Sequence, residues 1–170
     1  MTACSYRIGQ GFDAHRLGGD PPLRLAGVVV DPDRGLAATS DGDLAAHAII
    51  DSILGAAGLG DIGTLYPSSD PQWQDADSMA MLRSVVELAA AHGLTVSNLD
   101  LTIVAETVRV GPHRDAMRTR LASVLGLDVE RVSVKATTTD GLGFAGRNEG
   151  VSAWAAVLLA ESGCCDQSPR

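Results

Sequence analysis

The sequence predicts an α+β fold, a mixed β-sheet with helices packed on one of its faces. Three observations carry that expectation. Strand-like runs occur near both ends and in the middle of the chain, three helical patterns lie between them, and no low-complexity block or linker divides the 170 residues. The order reads β-β-α-α-β-α-β-β, and the length suits one domain, residues 1–170 with a core over about 6–161. Strand pairing does not follow from the order.

Tyr6 to Phe12 alternates weakly and reads as the first strand, followed by a turn at Gly18-Gly19-Asp20-Pro21-Pro22. Leu23 to Val30 is one further strand or a short hairpin, stopped by Asp31-Pro32. Leu44 to Leu59 is the clearest helix. Leu44, Ala48, Ile49 (or Ala45), Ser52 and Ile53 recur at helical spacing, Asp43 caps the start and Gly60 lies just beyond. Asp61 to Asp77, rich in Gly, Pro, Ser and Asp, is a long loop. Met79 to Ala91 is a second helix with Asp77 or Ser78 as cap and Gly93 as stop. Leu94 to Ala105 is a strand with Leu99, Leu101 and Ile103 on one face and Asp100 and Thr102 on the other. Pro112 suits the first turn of a helix running to about Leu125. Val132 to Ala136 and Val151 to Leu159 are two more strands around a Gly-rich loop.

Composition narrows the function. With 13 Lys+Arg against 21 Asp+Glu the chain carries a net charge of −8, which argues against a nucleic-acid partner and against a basic membrane-surface helix. No apolar run approaches the roughly 20 residues that span a bilayer. The first seven residues hold no apolar secretory core, so the expected location is the cytoplasm. Cys4, Cys164 and Cys165 are odd in number and close to the termini, which suits exposed thiols rather than a disulfide framework or a zinc site. The polar segment Ser162 to Arg170 is expected to fray.

Two constellations carry chemistry. Asp13 and His15 stand two apart on a strand and so share a face, while His47 lies on the strong helix with Asp43 four residues before it and Asp51 four after. A carboxylate and two imidazoles form a three-ligand metal set with an open fourth position, with Asp43 or Asp51 available to orient a ring N–H. A hydrogen-bonded strand end and an exposed helix histidine fit the same spacing. The second constellation runs from Lys135 to Arg147. Thr137, Thr138 and Thr139 at a strand end, then glycines and Arg147, suit phosphate oxygens, and Asp140 can hold a hard cation between phosphates. A polar Gly-rich turn is the plainer reading. Asp41-Gly42-Asp43 reads as a helix cap, and Gly60-Asp61-Ile62-Gly63 as a turn whose carboxylate can accept from ribose hydroxyls. His92 and His113 are ordinary helix-end histidines.

In combination these residues resemble the 2-C-methyl-D-erythritol 2,4-cyclodiphosphate synthases of the non-mevalonate isoprenoid pathway. The matching stretches are Arg7-Ile8-Gly9-Gln10-Gly11-Phe12-Asp13-Ala14-His15, then Ser40-Asp41-Gly42-Asp43 with His47, Gly55 to Gly63, and Lys135 to Gly150. They occur in family order, and the likeness spans about Tyr6 to Glu161.

The resemblance implies a homotrimer with three active sites between subunits. It implies one Zn²⁺ per subunit on Asp13, His15 and His47, and Mg²⁺ or Mn²⁺ held by substrate phosphates and Asp140. Substrate contacts are implied at Asp13, Ala14 and His15, at Thr39 and Ser40, and at Asp61, Ile62 and Gly63, where the ribose lies. The loop Tyr66, Pro67, Ser68, Ser69 and Asp70 is implied to close over the methylerythritol. A neighbouring subunit's Ala105, Glu106, Thr107, Val108, Arg109, Val110 and Gly111, with Ala136, Thr137 and Thr138, are implied to enclose the cytosine. Thr137, Thr138, Thr139 and Asp140 are implied to reach the phosphates, with Thr39 and Thr138 as catalytic groups. Phe12, Phe144 and Arg147 resemble residues around a trimer-axis cavity that receives an isoprenoid diphosphate, and Phe144 and Arg147 also adjoin the substrate.

The implied reaction converts 4-diphosphocytidyl-2-C-methyl-D-erythritol 2-phosphate to the cyclic diphosphate and CMP by attack of the substrate's own 2-phosphate. Four positions depart from the family pattern. Thr39 stands where a His is usual, Asp140 where Glu is usual, Ser68 follows Pro67 in place of Asp, and Val108-Arg109 replaces Pro-Lys. The first bears on rate and the others on affinity or metal preference. A zinc-containing trimer that binds cytidine nucleotide or isoprenoid diphosphate with impaired catalysis is the alternative that Thr39 motivates. Two His and one carboxylate are also the ligand composition of non-haem Fe(II) oxygenases, against which the Thr-rich phosphate loop and Asp61 argue.

Overall fold

The computed structural model describes residues 5–161, so Cys4, Cys164, Cys165 and the Ser162 to Arg170 segment lie outside the described residues. Its main sheet has five strands. They are β1 (Tyr6–Leu17), β4 (Leu36–Ala37), β5 (Leu94–Val104), β6 (Val132–Thr137) and β7 (Gly150–Glu161), in the order β4-β1-β7-β5-β6. Only β5 and β6 run parallel, joined through helix α4 (Arg114–Leu125); the other pairs are antiparallel. The sheet is therefore mixed, as expected. A separate hairpin of β2 (Leu23–Leu25) and β3 (Val28–Asp31) turns through Ala26 and Gly27, both at positive φ.

Two other long helices, α1 (Leu44–Ala57) and α3 (Ser78–Ala91), join α4 on one face of the sheet. Helix α1 lies over β1 and β7, α3 over α1 and β5, and α4 over α3 and β6. The face beneath them reads Gly9, Gly11, Asp13 and His15 on β1, Val157, Ala155 and Ala153 on β7, and Leu99, Leu101 and Ile103 on β5. Gly9 and Gly11 let α1 approach closely: a Cβ there would lie 1.9 Å from Ser52 O and 2.0 Å from Ala48 O. The opposite face leaves Ile8, Phe12 and Trp154 exposed, with the Phe12 and Trp154 rings 4.3 Å apart. Among the described residues no helix is long and apolar enough to cross a membrane.

Several boundaries differ from the sequence expectation. Strand β1 continues past Phe12 to Leu17 because β7 pairs with it as far as Arg16. Helix α1 stops at Ala57, where Gly58 adopts the left-handed conformation, two residues before the expected Gly60. The 61–77 loop holds a one-turn helix α2 (Ile62–Leu65) and a 3₁₀ turn (Pro71–Trp73), and the Gly-rich loop holds α5 (Gly143–Gly146). Pro112 sits in a 3₁₀ turn (Gly111–His113) just before α4. Asp43 and His47 are buried and Asp51 is half-buried, so the plain alternative of an exposed helix histidine does not hold. Helix α1 is buried almost all round, because the sheet lies on one side and α3 and the β2–β3 hairpin on others.

Candidate metal centre and substrate cavity

Strand alternation and the β1–α1 contact together assemble the centre. Asp13 and His15 rise from the helix-facing side of β1 beneath the first turn of α1, which carries His47. Asp13 Oδ2 lies 3.0 Å from His15 Nε2 and 3.0 Å from His47 Nδ1. One donor atom from each residue lies within 4.8 Å of the others, and the two rings are 5.3 Å apart. Burial raises the Asp13 carboxyl, but hydrogen bonds from His15 and His47 and the charge on those rings hold it well below the usual carboxylate range. One carboxylate oxygen and two imidazole nitrogens converging on a single point suit a divalent cation such as Zn²⁺. The residues present fit the ion.

These three side chains open into a cavity of about 380 Å³, whose lining includes Thr39, Ser40, Ile62, Gly63, Tyr66 and Ser68. The structure thus gathers most of one expected substrate surface. Asp51, expected beside His47, also lines it, as do Trp73 and Met81, which were not expected there. Tyr66 is held edge-on by Trp73, with ring centroids 4.8 Å apart, and its hydroxyl bonds Ser84. Asp70 caps the Pro71–Trp73 turn by accepting from Gln72 N. Asp61 caps α2 by accepting from Thr64 N and Thr64 Oγ1, both at 2.8 Å, and these bonds lower its carboxyl below the usual range.

Neither Asp43 nor Asp51 orients the His47 ring, contrary to the sequence expectation. Asp43 is wholly buried and accepts from Ala26 N, Gly27 N and Ala46 N, clamping the hairpin turn to the start of α1. Asp51 accepts from Ile62 N at 2.7 Å and so fixes α2, while burial pushes its carboxyl up. The ring's partners are Ser78 and Ser40 instead, on Nε2. Ser78 was read only as a helix-start residue, and no local pattern links it to His47, 31 residues away.

The second constellation lies elsewhere on the chain. Thr137, Thr138 and Thr139 line a cavity of about 250 Å³ with Phe144, Ser152 and Trp154, and none of them lines the cavity of Asp13. Asp140 is exposed at φ 52°, its carboxylate 3.3 Å from Thr138 Oγ1. The Ala105–Gly111 segment is tied to this end of β6, since Ala105 N donates to Thr137 O at 3.0 Å. Thr107 is held there by Arg34 and Asn148. Val108 and Val110 are buried and Arg109 is exposed, so the segment presents Arg109, not the two valines, to solvent. Arg147 pairs with Glu149 at 2.9 Å, Phe144 adjoins His15 and Glu149 in a further cavity of about 240 Å³, and Phe12 rests on Trp154.

Comparison with known proteins matches the described geometry. The sequence model of the YgbB family covers residues 6–160. The chain is 51% identical over 156 residues to the 2-C-methyl-D-erythritol 2,4-cyclodiphosphate synthase of Shewanella halifaxensis, covering 92% of this chain and 98% of that protein. The bifunctional IspDF of Campylobacter jejuni superposes with a TM-score of 0.91 at 43% identity, covering 94% of this chain and 43% of that one. The Plasmodium falciparum IspF–CDP complex superposes with a TM-score of 0.80 at 32% identity, covering 92% and 97%. The chain belongs to the YgbB family, the enzymes named 2-C-methyl-D-erythritol 2,4-cyclodiphosphate synthases.

Proposed function

We propose that this chain cyclises 4-diphosphocytidyl-2-C-methyl-D-erythritol 2-phosphate to 2-C-methyl-D-erythritol 2,4-cyclodiphosphate with release of CMP. The observation that carries the reading is the Asp13–His15–His47 cluster opening into the cavity lined by Thr39, Ser40 and Gly63 in a chain of this family. The CDP bound to the Plasmodium falciparum relative supports a cytidine diphosphate substrate. In the reaction an oxygen of the substrate's 2-phosphate forms a bond to the β-phosphorus. The bond from that phosphorus to the CMP oxygen breaks, and its electron pair leaves with CMP. The protein therefore supplies no nucleophile; it folds the substrate back on itself and offsets charge.

Asp13, His15 and His47 would hold Zn²⁺, and Asp140 with the substrate phosphates would hold Mg²⁺ or Mn²⁺. Bound there, these ions supply Lewis-acid polarisation of phosphoryl oxygens. Thr39 and Ser40 offer hydroxyl donors beside the cluster, and Asp61, Ile62 and Gly63 present a carboxylate and backbone to the ribose. The Tyr66, Pro67, Ser68, Ser69 and Asp70 loop excludes water from the methylerythritol. Thr138 donates to the β-phosphate from a different subunit.

Two features support a homotrimer. The Thr137–Asp140 segment and the Asp13 cavity are separate within one chain, and among the described residues the sheet face carrying Ile8, Phe12 and Trp154 has no long helix over it. Phe12, Phe144 and Arg147 would then meet around the three-fold axis and receive an isoprenoid diphosphate. The test is CMP release from the diphosphocytidyl substrate by the purified protein, stripped with chelator and reloaded with Zn²⁺ and Mg²⁺. One CMP per cyclic diphosphate, with no inorganic phosphate, is expected. A reloaded protein that binds CDP and releases no CMP overturns catalysis and leaves the binding trimer.

A further inference from the structure

His47 has a second set of contacts that the reaction scheme does not use. Its Nε2, the ring nitrogen turned away from Asp13, lies 2.9 Å from Ser78 Oγ and 3.1 Å from Ser40 Oγ. Ser78 is fully buried at the start of α3. Its hydroxyl makes a short hydrogen bond to Asp41 Oδ1, and Asp41 Oδ2 accepts Ser78 N–H at 3.3 Å. Asp43 N also donates to Asp41 Oδ1, at 3.3 Å.

The direction of this relay is fixed by valence. A carboxylate has lone pairs and no proton to give, while a serine hydroxyl has one proton and two lone pairs. The Ser78 proton is committed to Asp41, so Ser78 Oγ shows His47 only lone pairs. It accepts from Nε2–H and has nothing to donate to Nε2.

We propose that Ser78, polarised by Asp41, is a positioning residue for the metal centre. It takes the Nε2–H of His47 and so leaves Nδ1, which hydrogen-bonds Asp13 here, as the nitrogen that gives up its proton and faces a metal where Asp13 and His15 converge. The inference rests on reading those three residues as metal ligands. The hydroxyl is not needed to join the two loops, because backbone bonds already do so: Asp75 N donates to Thr39 O at 2.9 Å and Asp41 N to Ala76 O at 3.2 Å. Histidine ligands gain orientation and basicity from such an outer acceptor, and its loss typically weakens metal binding about 10–100-fold.

The experiment compares the full chain with Ser78→Ala. Zinc affinity is measured by competition with a chromophoric chelator. Exchange of imidazole N–H protons is followed by paramagnetic proton NMR after loading with Co²⁺. Zinc binding is expected to weaken about 10–100-fold in the variant while thermal unfolding of the metal-free protein barely moves. One hyperfine-shifted imidazole proton, protected in the wild type, is expected to exchange faster in the variant. Unchanged affinity and unchanged exchange overturn the proposal. Should Ser78→Ala fail to fold, the wild type decides alone: a cobalt-loaded protein with no protected His47 Nε2–H overturns it. A wild type that binds no metal at all defeats the ligand reading itself. A wild type that binds zinc and releases CMP beside an unaltered variant defeats only the role of Ser78.

Discussion

Replacing Gly11 with Ala tests whether the close seat of α1 on β1 builds the metal centre. A Cβ at this position would stand 2.0 Å from Ala48 O and 2.8 Å from Ser52 N, both backbone atoms of α1. Ordinary contact begins near 3.4 Å, so helix and strand must part by about 1.4 Å at Ala48. Ala48 follows His47, and Gly11 precedes Asp13 by two residues, so the separation opens directly between metal ligands. Metal sites hold their distances to about 0.2 Å, which makes the displacement several times what the centre tolerates. Overpacking of this kind costs about 1–3 kcal/mol, or roughly 2–12 °C in Tm for a domain of this size. Misplacement by about 1 Å lowers turnover by about 10²-fold. Gly55 on the same helix is the control. A Cβ there meets nothing within 4 Å, so Gly55→Ala should stabilise the protein by about 0.5–1 kcal/mol and leave the centre intact. The assays are thermal unfolding, zinc competition and CMP release. If Gly11→Ala keeps the wild-type Tm, zinc affinity and turnover, the reasoning about the β1–α1 seat is wrong.

Three further outcomes are expected. Thr39→His should raise kcat by more than it changes KM, because a charged donor beside the phosphates is roughly twice as strong as a neutral hydroxyl and acts in the transition state; a flat or falling kcat would show Thr39 to be fully adapted. The lowered Asp13 carboxyl should contribute stability above the ordinary carboxyl range and lose it as pH falls through the lower folded value. The Tm advantage of metal-free wild type over Asp13→Asn should therefore shrink on acidification below about pH 4, and a gap that stays constant with pH contradicts the coupling to His15 and His47. Mixing His47→Ala with Thr138→Ala chains, each inactive alone, should restore partial CMP release through mixed interfaces, whereas an active monomer in light scattering would refute shared sites.

Periodicity made the elements legible, and tertiary contact hid the rest. Apolar spacing, caps and glycine stops predict helices over 44–59 and 79–91 and strands over 94–105 and 151–159, and the structure has them over 44–57, 78–91, 94–104 and 150–161. The place of β7 between β1 and β5 does not follow from them, because strand pairing is decided by partners far apart in sequence. The two-residue strand Leu36–Ala37 is too short to show a period. Asp43 and Asp51 illustrate a sharper limit. Spacing of four put them on the face of His47, but backbone N–H groups from the hairpin turn and from α2 compete for their oxygens and win. A charged donor set reads easily from sequence; which donor finds which acceptor depends on loops that the pattern leaves open. Ser78 reaches His47 only because α3 packs on α1, a contact with no local signature.

The Asp13–His15–His47 cluster has a geometric basis that the helix-facing side of β1 makes plain. That side reads Gly9, Gly11, Asp13, His15, two positions without a side chain followed by two candidate ligands. A Cβ on Gly9 would meet Ser52 and Ala56, and one on Gly11 would meet Ala48 and Ser52, so two residues forward on β1 correspond to four residues backward on α1. The rises agree, since two strand residues span about 6.6 Å and four helix residues about 6.0 Å. Continuing the same step places Asp13 opposite the turn from Leu44 to Ala48, where His47 meets it at 3.0 Å. The bare glycines thus set both the distance and the register at which helix and strand run past each other. The ligands appear one step beyond, at the first position where a side chain has room to stand.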